Sequence, residues 1–259
     1  MIPTIEIKEK AREFSVPPST IERDYAQNWL LKYLNPMKMA FKGGTSIRKL
    51  FIENYRFSDD LDFTMLETYD KETLRIAIRD SVIQVRDECG IQFEDDIGII
   101  ETKSGFRAIA KFRIINRSTM APITIKLDLT DPKNEQILLP MQQRYVFHRY
   151  SDSLDALVIT YSLEEIMAEK IRSLFQRTRS RDLYDIWQLS DTVDREKVKS
   201  IINEKCRYKE VTLDISLLVE RRRNFASSWD ASLQNQMNCI PDFNSAFAKT
   251  IKLLEYYMS

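Results

Sequence analysis

Only five of the 259 residues are glycine, and two of them adjoin, at Gly43-Gly44. Ordinary chains carry roughly 7% glycine. In a chain this poor in glycine, an adjacent pair marks a point where the backbone needs to do without Cβ atoms. The pair lies between residues 37–42, which read as a short buried strand, and residues 45–55, which read as a helix with Ile47, Leu50 and Phe51 inward. A glycine turn opening a helix is a natural phosphate cradle. Its N–H groups point at the ligand, and here the hydroxyls of Thr45 and Ser46 follow directly. The same pattern also fits a tight turn that binds nothing.

Beyond the turn comes Asp60-Leu61-Asp62-Phe63. On a strand, residues two apart share a face, so Asp60 and Asp62 project side by side while Leu61 and Phe63 enter the core. Asp59 faces the other way. Two adjacent carboxylates repel each other, so either a cation or a salt bridge from Arg56 or a more distant lysine offsets them. Aspartate is depleted in strands, which argues for a role. Residues 122–130 alternate as a second strand, with Ile123, Ile125, Leu127 and Leu129 on one face and Thr124, Lys126, Asp128 and Thr130 on the other. Asp60, Asp62 and Asp128 on neighbouring strands can hold two metal ions roughly 4 Å apart, the arrangement that serves in-line displacement at phosphorus.

Composition narrows the chemistry further. The single histidine, His148, leaves no histidine triad or zinc site. Cys89, Cys206 and Cys239 are too scattered for a zinc pattern or a disulfide framework. A metal here is therefore held by carboxylates, which favours Mg²⁺ or Mn²⁺. No apolar run approaches the roughly 20 residues of a membrane span, and the first residues lack a signal-peptide layout. A cytoplasmic protein without a membrane partner is expected. The net charge of zero speaks against a whole-surface grip on nucleic acid. Arg221-Arg222-Arg223 is a local basic run that fits a solvated helix face as well as RNA phosphates.

The periodicity predicts further helices at 19–34, with Ser19 as cap and Glu22 in a capping box, and at 71–88. Further strands are expected at 61–65, 106–116 and 145–149. After Tyr161 the pattern is helical, opened by Ser162 with Glu165 three residues on. Two domains are expected: an α/β domain with its N-terminal helix at 1–160, and a helical domain at 161–259. From Lys170 to Arg181 there are five basic residues and no acidic ones, a run suited to clamping a triphosphate.

Five runs together resemble one family: Glu22-Arg23-Asp24-Tyr25; Phe41-Lys42-Gly43-Gly44-Thr45-Ser46-Ile47-Arg48-Lys49-Leu50; Arg56-Phe57-Ser58-Asp59-Asp60-Leu61-Asp62; Glu164-Glu165-Ile166-Met167-Ala168-Glu169-Lys170-Ile171-Arg172; and Arg179-Ser180-Arg181-Asp182-Leu183-Tyr184-Asp185-Ile186. The family is the AbiEii/AbiGii toxin nucleotidyltransferases, within the DNA polymerase beta-like superfamily. The resemblance implies an α+β fold: a polymerase beta-like nucleotidyltransferase core with a small mixed sheet, followed by a C-terminal helical bundle. It implies a toxin of a toxin–antitoxin or abortive-infection system, with a cognate antitoxin as partner. That toxin would use an NTP and Mg²⁺ (or Mn²⁺) to transfer NMP to an RNA acceptor such as the tRNA 3′ end. It assigns Asp60, Asp62 and Asp128 to the metal and to catalysis, together with Lys170 at the phosphates. It assigns Gly43, Gly44, Thr45, Ser46, Lys49, Arg181, Asp182 and Asp185 to the nucleotide. A protein hydroxyl or small molecule as acceptor, or a non-catalytic nucleotide-binding member, are the alternatives. Residues 190–259 carry no motif of the family.

Overall fold

The computed structural model describes residues 1–115 and 121–259. The chain divides into two compact units. One comprises Met1–Glu135 with Met141–Thr160; the other comprises Gln136–Pro140 with Tyr161–Ser259.

The first unit opens with helices α1 (Thr4–Glu13) and α2 (Pro18–Leu34). Strand β1 (Met39–Lys42) runs straight into the short helix α3 (Gly43–Ser46) and a π-helical turn, Ile47–Phe51. Then follow β2 (Asp60–Met65), α4 (Lys71–Cys89), β3 (Gln92–Phe93), β4 (Gly98–Thr102), β5 (Gly105–Arg113), β6 (Ile123–Thr130), β7 (Gln142–Tyr145) and β8 (Leu157–Thr160). These strands make one mixed sheet in the order β3-β5-β6-β2-β1-β8-β7, with β4 also pairing β5. Strands β2 and β6 pair in parallel, as do β1 and β8, and the other ladders are antiparallel. The fold is thus α+β with a mixed sheet.

Period-two alternation sorts the side chains. Leu61 and Phe63 of β2, Ile125, Leu127 and Leu129 of β6, and Ala108, Ala110 and Phe112 of β5 are buried in one core with Leu30 of α2 and Ile78, Val82 and Val85 of α4. The intervening residues, Asp60, Asp62, Lys126, Asp128 and Arg107, therefore occupy the opposite face.

Several elements differ from expectation. Helix α2 begins at Pro18 rather than at a Ser19 cap, and no side chain caps it. Proline's fixed φ suits the first turn. Glu22 accepts instead from the Ile115 N–H at 3.0 Å. The helix expected over 45–55 starts at Gly43 itself and ends at Phe51. The strand expected at 145–149 is Gln142–Tyr145; past it, the Phe147 N–H turns to the Lys49 carbonyl at 2.8 Å. Strand β5 closes at Arg113, and Asn116 lies outside the described residues.

The π-helical turn is anchored by Asp24 of α2. Its carboxylate lies 2.6 Å from Lys49 Nζ and 2.7 Å from Arg48 Nε, and it accepts from the Tyr150 hydroxyl at 2.8 Å. The Arg48 guanidinium also stacks over Phe57, 3.5 Å from the ring centre. Lys49, expected at the nucleotide, is thus buried and committed to Asp24, because a buried ammonium needs a counter-charge. His148 is structural. Its ring contacts Asp152 at 2.9 Å through Nε2 and Asn28 at 3.2 Å through Nδ1.

The second unit contains α5 (Leu163–Gln176), α6 (Ser180–Leu189), α7 (Arg195–Tyr208), α8 (Ile215–Glu220), α9 (Arg222–Leu233) and α10 (Phe243–Met258). Ser162 caps α5 by accepting from the Glu165 N–H at 3.1 Å. The Glu165 side chain does not close a capping box. It is fully buried 2.6 Å from Lys205 and accepts from the N–H groups of Leu138 and Leu139. Lys205 also donates to the Gln136 carbonyl. This buried pair draws Gln136–Pro140 into the second unit, although a division at 160/161 leaves that segment with the first. The rings of Tyr184, Trp229 and Phe243 join α6, α9 and α10, with neighbouring centres 5.6–6.3 Å apart. Among the described residues, no helix is long and apolar enough to cross a membrane.

Burial works to raise the Asp24 pKa, but Arg48 and Lys49 outweigh it and hold the carboxyl well below the usual range. Asp24→Asn leaves two cations without their partner and is expected to cost about 3–5 kcal/mol in urea unfolding. Burial lowers the His148 pKa more than Asp152 raises it. The unfolded chain therefore takes that proton first, and this contribution to stability is lost as pH falls below about 6.5. Thermal unfolding of His148→Gln is expected to lose part of the wild-type pH dependence across that window.

Candidate active site

Four charged residues form a row across the sheet. In the β1–β2 ladder Lys42 lies opposite Asp62. In β2–β6 Asp62 lies opposite Asp128, and in β5–β6 Asp128 lies opposite Arg107. Directly opposed residues share a face, so the order is cation, carboxylate, carboxylate, cation. One step along, Asp60 lies opposite Lys126.

Arg107 holds Asp128 with a fork: Nε is 2.6 Å from Oδ1 and Nη2 is 3.0 Å from Oδ2. Neither side chain is deeply buried, with 44% of Arg107 and 30% of Asp128 exposed. The bond to Asp128, with Asp60 and Asp62 farther off, holds the guanidinium more firmly protonated than usual. At the other end Lys42 Nζ lies 3.9 Å from the buried Glu135 carboxylate.

The glycine turn abuts this row. Lys42 is extended, and Gly43 has a φ of +77°. A Cβ built on Gly43 would fall on Asp62 Oδ2 and stand 3.0 Å from its Cγ. One built on Gly44 would stand 2.7 Å from Arg56 Nη2. Backbone and carboxylate are therefore in direct apposition, and any side chain would separate them. Thr45 and Ser46 are buried. Thr45 donates its hydroxyl to the Asp60 carbonyl, and Ser46 donates to the Gly43 carbonyl at 2.8 Å. These hydroxyls, expected at a phosphate, instead fasten the turn to itself and to β2, which leaves the backbone N–H groups as the candidate phosphate donors. Asp59 turns away, 2.5 Å from Arg23 of α2.

The three carboxylates expected at the metal are not arranged alike. Among the described residues, no group of three or more His, Cys, Asp or Glu side chains is arranged to hold a metal ion. The hard oxygens of Asp60 and Asp62 suit a divalent cation. The third expected ligand, Asp128, has both oxygens on Arg107. Adjacent carboxylates repel, and the arginine relieves that repulsion.

In the second unit, Lys170 Nζ lies 2.8 Å from both Asp182 and Asp185. The two aspartates are almost wholly buried. Burial raises the Asp182 pKa, but Lys170 and Arg177 outweigh it and leave the carboxyl below its ordinary value. Asp182 and Asp185, expected at the nucleotide, are thus committed to Lys170. The arginine on Asp182 is Arg177, at 3.1 Å; Arg181 is half-buried in the first turn of α6. In the basic triplet, Arg221 donates to the Phe175 carbonyl and Arg222 to Asn244, so two of the three are held within the unit.

Arg107 and Lys42 were not singled out from the sequence. The alternation of β5 puts Arg107 on a definite face, but only the β5–β6 register brings it to Asp128.

Solved structures share this fold. MenT4, a nucleotidyltransferase toxin from Mycobacterium tuberculosis H37Rv, superposes with a TM-score of 0.68 at 18% identity, covering 100% of this chain and 90% of its own. JHP933 from Helicobacter pylori gives 0.61 at 17% identity, with 93% of each chain covered. A putative nucleotidyltransferase from H. pylori gives 0.59 at 17% identity, covering 92% of this chain and 94% of its own. No curated protein matches the sequence. The match to a family model over most of the chain gives the class, a nucleotidyltransferase. The family model described as nucleotidyl transferase AbiEii toxin, type IV TA system, matches residues 30–249, and the chain belongs to that family. It is a nucleotidyltransferase toxin of a type IV toxin–antitoxin system, in a family that generally uses an NTP and a divalent metal.

Gly43→Ala sets a side chain on Asp62 at a left-handed φ. It is expected to cost about 1–2 kcal/mol of stability and to abolish NTP binding in calorimetry, whereas Gly90→Ala, at an open left-handed helix cap, is expected to cost stability alone.

Proposed function

We propose that the protein transfers NMP from an NTP, with Mg²⁺, to an RNA acceptor, the tRNA 3′ end being the first candidate. The observation that carries this reading is the apposition of Gly43 and Asp62. A phosphate-binding turn and a cation-binding carboxylate pair in contact are what a metal–triphosphate complex requires.

In this reading the N–H groups of the Gly43-Gly44 turn bind the triphosphate and set its α-phosphorus over the row. Asp60 and Asp62 hold the metal, with Asp128 as third ligand; when bound, the metal offsets charge on the phosphate oxygens. The acceptor hydroxyl oxygen attacks the α-phosphorus and loses its proton to solvent. The bond from the α-phosphorus to the bridging oxygen breaks, and pyrophosphate leaves. The family resemblance assigns Lys170 to the phosphates, and within its own unit Asp182 and Asp185 fix its position. The domain at 1–160 supplies the nucleotidyltransferase core and 161–259 the helical domain. The setting is cytoplasmic, and a cognate antitoxin is the protein partner.

Transfer of label from α-labelled NTPs to bulk tRNA tests the reading. Asp60→Asn and Asp62→Asn are expected to lose transfer by at least about 100-fold, while Asp59→Asn, whose partner is Arg23, retains most of it. Lys170→Ala is expected to lose transfer with the fold intact by circular dichroism. Absence of label on any RNA from all four NTPs would overturn the RNA acceptor. Label found on protein would redirect the assignment to a protein hydroxyl.

A further inference from the structure

Asp128 lies opposite Asp62, yet both its oxygens are on Arg107. Across the row, Gly43 stands at the Lys42–Asp62 end, and Arg107 stands at the other, one strand beyond Asp128. A triphosphate seated on the turn leaves the Arg107 end to the second substrate.

We propose that Arg107 is a latch on Asp128, opened when a phosphate of the acceptor strand takes its guanidinium, so that Asp128 joins the metal site only with the acceptor in place. What opens the latch rests on the RNA reading above; the latch itself does not. Three observations support it. The fork that grips the carboxylate also fits the two free oxygens of a phosphodiester. The pair is partly exposed, so exchange of partners requires no opening of the core. The pair is open to solvent, which screens it, so a phosphate or a dication competes with it. Beside it, Lys126 is exposed opposite Asp60 and presents a second positive charge to an acceptor backbone. Arg107 is on this account a positioning residue: it keeps two neighbouring carboxylates compatible before the metal site is complete, and it delays the third ligand until there is a hydroxyl to transfer to.

The test is Mn²⁺ binding followed by electron paramagnetic resonance on the full chain without nucleotide or RNA. Arg107→Gln is expected to bind Mn²⁺ several-fold more tightly than wild type. In the Asp128→Asn background the same change is expected to have no effect. Arg107→Lys, which keeps the charge but loses the fork, falls between wild type and Arg107→Gln, and unfolding midpoints establish that each variant is folded. Mn²⁺ affinity unchanged in Arg107→Gln, or raised equally with Asp128→Asn, overturns the latch. In steady-state transfer, Arg107→Gln is expected to raise the KM for RNA and leave the KM for NTP unchanged; the reverse pattern overturns the acceptor-side assignment. If wild type labels no RNA, the acceptor reading fails, while the Mn²⁺ titrations still decide the latch.

Discussion

The contact on which the active face depends is the pairing of Asp62 with Asp128 across the parallel β2–β6 ladder. Two carboxylates on strands about 5 Å apart repel by about 3 kcal/mol at an effective dielectric of about 20. A sheet does not place them together without compensation. Here the compensation is built into the register: Lys42 stands beyond Asp62 and Arg107 beyond Asp128. The arrangement also protects the register itself. A slip of one residue would turn Asp62 or Asp128 into the helix-covered core and bring leucines out.

The glycine turn is placed just as firmly, from behind. Asp24 gathers Arg48, Lys49 and Tyr150, and so fixes the π-helical turn that follows Gly43–Ser46. Thr45 ties the front of that turn to the Asp60 carbonyl. A buried ion-pair cluster on one side and the Thr45 hydroxyl bond on the other hold Gly43 against Asp62. The N–H groups of the Gly43-Gly44 turn and the Asp62 carboxylate therefore keep their spacing without any side chain between them. That is the condition for one triphosphate to meet both. In the second unit a similar device serves Lys170, whose ammonium is fixed by two buried aspartates rather than left free to rotate.

Much of this was legible in one dimension because strands and helices impose short periods. Alternation sorted Asp60, Asp62 and Asp128 from Leu61, Leu127 and Leu129, and it set Asp59 apart from its neighbour. Helical spacing marked α2, α4 and α5 to within a few residues. The scarcity of glycine drew attention to Gly43-Gly44. The failures share one cause. The resemblance sets Lys49 at the nucleotide, whereas its ammonium is held by Asp24, twenty-five positions upstream. Gln136–Pro140 reads as part of the first unit until the buried Glu165–Lys205 pair is seen to hold it.

The amino-acid sequence by itself determined the chemistry on offer: a turn free of Cβ atoms, carboxylates of one strand face, a single histidine and cysteines too scattered for a soft-metal site. Those properties follow from residue type and local spacing, and they led as far as metal-assisted displacement at phosphorus; the nucleotidyltransferase class came from the resemblance of five runs to a known family. Tertiary structure decided which charges meet. Ladder register brought Arg107 to Asp128 and Lys42 to Asp62, and packing sent Lys49 to Asp24 and Lys170 to Asp182 and Asp185. The reason is that electrostatic partners are chosen by distance through space, which falls off over a few ångströms, while their separation along the chain runs from twelve residues to more than twenty.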